Sequence, residues 1–135
     1  MNTSSLISVI IPTHNPNLIR LERVLDALRK QQLPHSCWEL LIVDNASDNP
    51  QIFSSLELLW HPTARVIREE NLGLTRARLA GIEASQGNYL VFVDDDNILH
   101  PEYLTQINLI FQQNPKLGAI GGKSLPEFEV QFTGD

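Results

Sequence analysis

A chain of 135 residues with a net charge of −6 is long enough for one domain with its own core, and it carries no basic face for a nucleic-acid backbone. Its 42% hydrophobic and 19% charged residues belong to a globular protein. Its one cysteine, Cys37, excludes an internal disulfide and a thiolate zinc site, and His14, His35, His61 and His100 lack metal-ligand spacing. No apolar run reaches the length of a membrane span. MNTSSLISVIIP lacks the basic start of a signal peptide, so a cytoplasmic location, peripheral to a membrane at most, is the expectation.

Taken in chain order, the elements alternate. Leu6 to Ile11 is a continuous β-branched run, the pattern of a strand buried on both faces. The loop THNPN follows. Leu18, Leu21, Leu25 and Leu28 then recur on one helical face, with Asn15 or Asn17 as the cap. Trp38 to Asp44 is a second buried strand, closed by the loop chemistry of NASDNP. Gln51 to Leu59 is expected as a short helix and Ala64 to Glu69 as a third, weaker strand. Thr75 is expected to cap a helix running to Ser85, with Ala77, Ala80, Gly81 and Ala84 as its small residues and Gly87 as its C′ stop. Tyr89 to Val93 is the fourth strand. Pro101 is expected to open a helix with the stripe Leu104, Ile107 and Phe111, and Leu117 to Gly122 is a fifth strand. The alternation implies an α/β domain with a mostly parallel sheet flanked by helices.

Ligands of such sheets bind beyond the carboxyl ends of the strands. The residues standing there are Pro12, Thr13, His14 and Asn15; then Asp44, Asn45 and Ser47; then Asn71 and Gly73; and finally Asp94, Asp95 and Asp96. Three adjacent carboxylates repel one another unless something compensates. If the chain stays extended, Asp94 and Asp96 face one side and Asp95 the other. Two carboxylates with open positions suit Mg²⁺ or Mn²⁺, whose other ligands are water and substrate phosphates. Such a cation would also bridge an acidic protein to an anionic ligand. The competing reading is an acidic turn in solvent. Asp44 likewise serves either a ligand or an Asx-turn, and Asn71 and Gly73 fit a plain loop. Arg76 and Arg78, near a helix start that disfavours cations, hint at an anionic partner.

Together these segments resemble the family 2 glycosyltransferases, enzymes of the GT-A fold. SVIIPTHN is similar to their first strand and its P-T-x-N turn, and LLIVDNASD to their second strand and D-D/N-x-S element. NLGLTRARLAGIEASQGNYLVFVDDDN resembles their N-x-G…A-R-x-x-G-I…D-x-D stretch. The resemblance implies a Rossmann-like GT-A domain over residues 1–135 that binds a nucleotide sugar, with the C-terminal acceptor part truncated. Pro12, Thr13 and His14 would line the base pocket, with Asn15 beside them. Asp44 and Asn45 would meet a uracil-like edge, and Gly73 and Arg78 would lie near the nucleotide. Asp94 and Asp95 would approach the ribose or sugar, and Asp94 and Asp96 would hold Mn²⁺ or Mg²⁺ on the diphosphate. The implied reaction is inverting transfer from a nucleotide-diphosphate sugar, a UDP-sugar first, to a hydroxyl of a glycan or lipid-linked acceptor.

The chain departs from its relatives at Asn45, where many have a second aspartate, at His14, often a tyrosine, and at Leu79, commonly an asparagine. No catalytic base is assigned: Glu127, Glu129 and Asp135 lack motif context. A non-catalytic nucleotide-binding module is therefore the alternative. An aspartate-nucleophile phosphatase ranks lower, because its DxD sits on an early strand. A dinucleotide oxidoreductase lacks its GxGxxG.

Overall fold

The computed structural model describes residues 6–114 and 119–121. Five parallel strands, β1 (Ile7–Thr13), β2 (Trp38–Asn45), β3 (Arg65–Glu69), β4 (Tyr89–Phe92) and β5 (Ala119–Gly121), form one sheet in the order β3-β2-β1-β4-β5. The chain winds outward from β1 to β3, then returns to the other side of β1 for β4. That reversal opens a crevice between the carboxyl ends of β1 and β4, the usual ligand position in an open α/β sheet.

Side chains of a strand alternate between faces. Ile7, Val9 and Ile11 of β1, with Leu40 and Ile42 of β2, pack under α1 (Leu18–Arg29) and α3 (Tyr103–Gln113). Ile10, Leu41 and Val43 point the other way, against Ala77 of α2 (Leu74–Ala84). The leucine stripe of α1 and the Leu104, Ile107 and Phe111 stripe of α3 are core, as their spacing requires. The small residues of α2 let it lie very close to the sheet. Gly81 faces Ile10 so tightly that a Cβ there would stand 2.5 Å from the Ile10 Cγ2 methyl. Among the described residues no helix is long and apolar enough to cross a membrane.

Of the two asparagines expected as caps, Asn17 caps α1, its Oδ1 accepting from the Arg20 N–H at 3.1 Å. Three local expectations are corrected. Thr75 does not cap α2. Gly73 does so at φ 145°, a backbone that only glycine adopts readily. Residues 50–55 form a 3-10 turn in place of the expected helix from Gln51 to Leu59. There the Ser54 and Ser55 hydroxyls donate to the carbonyls of Gln51 and Ile52, and Leu56 is extended. Gly87 is not a C′ stop, since α2 closes on Ser85. Its lack of a side chain matters because a Cβ would meet the Leu6 carbonyl at 2.6 Å.

Pro101 likewise precedes α3 instead of opening it. The carbonyls of His100 and Pro101 bond to Gln31 Nε2 and the Gln32 N–H at the end of α1. Gln31 Oε1 in turn accepts from the Leu104 N–H at 2.9 Å. One buried side chain thus serves backbone groups at the start of a distant helix, where the first N–H groups lack partners within the helix.

Candidate functional site

At the crevice, the Thr13 hydroxyl closes β1 onto the acidic run, donating to Asp95 Oδ2 at 2.5 Å. The run does not stay extended. β4 ends at Phe92, and the Asn97 N–H reaches back to the Asp94 carbonyl at 3.2 Å, so Asp95 and Asp96 sit at the corners of a turn. The strict alternation expected of Asp94, Asp95 and Asp96 is therefore lost. The turn splays the carboxylates instead, with Asp94 and Asp95 half-buried and Asp96 exposed. Asp96 borders a groove of about 250 Å³ with Arg20, Arg23 and Ile98. The two arginines of α1 had no motif to draw attention to them. All-oxygen donors at an open edge suit a hard cation that takes its remaining ligands from water and phosphate. Among the described residues no three His, Cys, Asp or Glu side chains form a metal-holding group by themselves.

Beside the crevice, the loops after β1 and β2 grip one another. His14 Nδ1 donates to the Asn45 carbonyl at 2.8 Å, which leaves Nε2 to accept from Asn15 Nδ2 at 3.1 Å. The Asn15 N–H donates to Ser47 Oγ, and its side chain exchanges two bonds with Asp48. Asn15 (φ 46°) and Ala46 (φ 55°) are the non-glycine residues of left-handed backbone among those described. Asparagine tolerates that conformation, while alanine does so only when neighbours hold it. Asp44 is the holder, its Oδ1 accepting from the Ser47 N–H three residues on at 3.1 Å, which closes a side-chain turn around Ala46.

Asp44 is 2% exposed, and its Oδ2 accepts from Arg68 Nη1 at 2.9 Å. The same nitrogen donates to the Ser47 carbonyl, and the guanidinium's outer edge meets Glu70. Bonds to Glu70 and Asp44 hold the Arg68 guanidinium above its ordinary pKa. The register places Thr13, Asp44 and Arg68 side by side across three strands, on the face that carries α1.

Asn45 points to the opposite face. Its Nδ2 donates to the carbonyls of Glu69 and Asn71, and its Oδ1 accepts from the Gly73 N–H at 2.9 Å. Its amide therefore fixes the loop that starts α2. On that face the exposed Arg78 guanidinium lies 5.7 Å from the centroid of the Phe92 ring, a cation–π pair at the end of β4. Pro12 is buried within β1. Of the expected residues, His14, Asn15, Asp44, Asn45 and Gly73 share one connected network through Ser47, and Thr13 and Asp95 form a bonded pair next to it. Arg78 stands beside the crevice, and Asp94 and Asp96 complete the turn. Glu127, Glu129 and Asp135 lie outside the described residues.

The family model for glycosyl transferase family 2 matches residues 8–129. The chain belongs to glycosyl transferase family 2. It is 33% identical over 105 residues to the glycosyltransferase AglE of Haloferax volcanii, covering 76% of this chain and 34% of that protein. It is 34% identical over 98 residues to the putative teichuronic acid biosynthesis glycosyltransferase TuaG of Bacillus subtilis, covering 71% and 38%. The chain thus spans little more than a third of these relatives' length. Among solved structures, S. aureus TarS superposes with a TM-score of 0.68 at 26% identity, over 80% of this chain and 20% of that one. TarS 1–349 in complex with UDP-GlcNAc gives a TM-score of 0.71 at 24% identity, over 82% and 32%. The GT-A fold expected from the sequence is the fold of this chain.

Proposed function

We propose that this family 2 chain forms the donor-binding domain of a cytoplasmic glycosyltransferase. It would take a UDP-sugar in the crevice between β1, β2 and β4 and support metal-dependent, inverting transfer of the sugar to a hydroxyl of a glycan or lipid-linked acceptor. The observation that carries the reading is the network at the strand-order reversal. Thr13–Asp95, His14–Asn45 and Asn15–Ser47 knit three strand ends around one opening. The UDP-GlcNAc complex of a structural neighbour supports the choice of nucleotide.

In this proposal the base lies over Pro12, Thr13 and His14, with Asn15 shaping the loop. Asp44 offers the base its remaining acceptor positions, because a carboxylate has about four and two are occupied within the fold. Asn45 acts through Gly73, which sets where α2 begins, and Arg78 lies near the nucleotide. Asp94 and Asp95 face the ribose and sugar. Asp94 and Asp96 hold Mn²⁺ or Mg²⁺, which when bound stabilises the charge developing on the departing diphosphate. The protein's own contribution is to orient the donor in a rigid, partly dry edge and to place carboxylates where a cation offsets a net charge of −6.

Calorimetric titration of UDP, GDP and ADP, each with and without Mn²⁺, tests the reading. Metal-dependent binding with UDP preferred is expected. No binding of any nucleotide would remove the donor-site assignment, and preference for another base would move the donor.

A further inference from the structure

Resting on that donor-site reading, we propose that Arg68 is a positioning residue for nucleobase selection: it fixes Asp44 and the loop through Asp48 in the arrangement that meets the base. β3 is the outer strand beside β2, and Arg68 is an exposed residue on it. An ion pair between two solvated side chains contributes little. This pair differs, because the Asp44 side chain is almost wholly buried while Arg68 reaches it from outside. One nitrogen, Nη1, serves both the Asp44 carboxylate and the Ser47 carbonyl, so it pins the two ends of this side-chain turn together. Glu70 holds the far side of the guanidinium at Nε and Nη2.

What the turn carries explains why this matters. Ala46 is kept left-handed inside it, and Ser47 passes the constraint on to Asn15, the second left-handed residue, next to His14. Without Arg68 a buried carboxylate keeps one N–H partner and no cation. It then turns toward water, and Ala46 and Asn15 lose what holds them in strained backbone. Lysine does not replace arginine here. A single point charge cannot span Asp44, Ser47 and Glu70 as a fork does. The turn of Asp94 to Asp96, where the proposal places the diphosphate, follows β4 on the far side of β1 from β3 and should be left as it is.

The test compares UDP with ADP, each with Mn²⁺, on the unmutated chain, Arg68→Met and Arg68→Lys, alongside thermal melts. The unmutated chain should prefer UDP. Both variants should lose about tenfold in UDP affinity, while ADP affinity holds within about twofold. Equal losses for both nucleotides would mean structural damage only, and an unchanged UDP-to-ADP ratio would mean that Asp44 needs no clamp; either overturns the inference and leaves the donor site standing. If Arg68→Met does not fold, Arg68→Lys decides by the same ratio. If the unmutated chain shows no nucleotide binding, the donor reading and this inference fall together.

Discussion

Gly81→Ala asks a helix to accept a methyl where the sheet leaves no room. The new Cβ would stand 2.5 Å from Ile10 Cγ2, 3.3 Å from Cδ1 and 3.4 Å from Cγ1. Carbon atoms settle at roughly 3.5–4.0 Å, so the first contact is about 1 Å too short. Ile10 is fully buried between β2 and β4 and has no free space to turn into. Two terms oppose each other. Alanine is worth about 1 kcal/mol over glycine inside a helix, and overpacking a core costs about 1–3 kcal/mol. With a clash this deep on a β-branched neighbour the second term should take its upper range, leaving a net loss of about 1–2 kcal/mol. For a chain of this size that lowers the melting temperature by roughly 3–10 °C, read by circular dichroism. Ile10→Leu supplies the control, because leucine keeps the volume but lacks the offending β-methyl. In that background Gly81→Ala should cost about 1 kcal/mol less, a coupling typical of side chains in contact. A higher melting temperature for Gly81→Ala alone, or the same loss in both backgrounds, would refute the close seating of α2 on β1.

Asp96→Ala should abolish the metal-dependent part of UDP binding without lowering the melting temperature, since Asp96 is exposed; UDP affinity with Mn²⁺ equal to that of the unmutated chain would remove it from the metal site. Asp44→Ala should weaken uridine binding with or without metal by about tenfold, in the range expected for a charged hydrogen bond, and equal uridine binding by both proteins would sink the base-reading role. Acid should destabilise the fold in two windows. Burial among the His35, Trp38 and Trp60 rings, reinforced by the neighbouring His35 charge, holds His61 below its ordinary 6.5. Burial raises the Glu39 carboxyl, but bonds from Ser8, the Gln86 N–H and Arg65 outweigh it and leave Glu39 below 4.5. Both groups bind fewer protons folded than unfolded, so stability is full above pH 6.5, declines below it through His61, and declines again below 4.5 through Glu39. Urea midpoints across that range measure both steps, and His61→Phe should flatten the upper one; an unaltered upper slope would assign it to another group.

The sheet was legible because its signals are strong and redundant. Runs such as Ser8–Ile11 and Leu40–Val43 admit no one-sided burial, and both lie in fully buried strands. The helix stripes were equally plain. Errors fell where tertiary contacts overrule a local rule. Thr75 is a good cap by type, yet Asn45 reaches across from β2 to take the Gly73 N–H, and the helix begins two residues earlier. Pro101 is a good first-turn residue, yet Gln31 claims the carbonyl just before it. Gly87 looks like a helix stop but answers to the backbone of Leu6 and Ser8, far away in sequence.

The site divides along the same line. Its candidate residues were chosen by their place after each strand, because a parallel sheet gathers strand ends on one edge. What position cannot give is the direction in which each one points, and here the pleat decides. β2 continues one residue past Asp44, so Asp44 and Asn45 face opposite sides of the sheet. Asp44 follows Leu40 and Ile42 toward α1, where the register brings Thr13 and Arg68 alongside it. Asn45 follows Leu41 and Val43 toward α2 and is absorbed by the turn at Gly73. Two adjacent polar residues that read as one base-binding element thus do different work: one is buried against Arg68 and the Ser47 N–H, and the other sets the start of α2. The acidic run obeys the converse rule. It leaves the strand before the pleat can sort it. A turn sends Asp95 to the Thr13 hydroxyl, while Asp96 stays exposed at the edge, in the groove with Arg20 and Arg23.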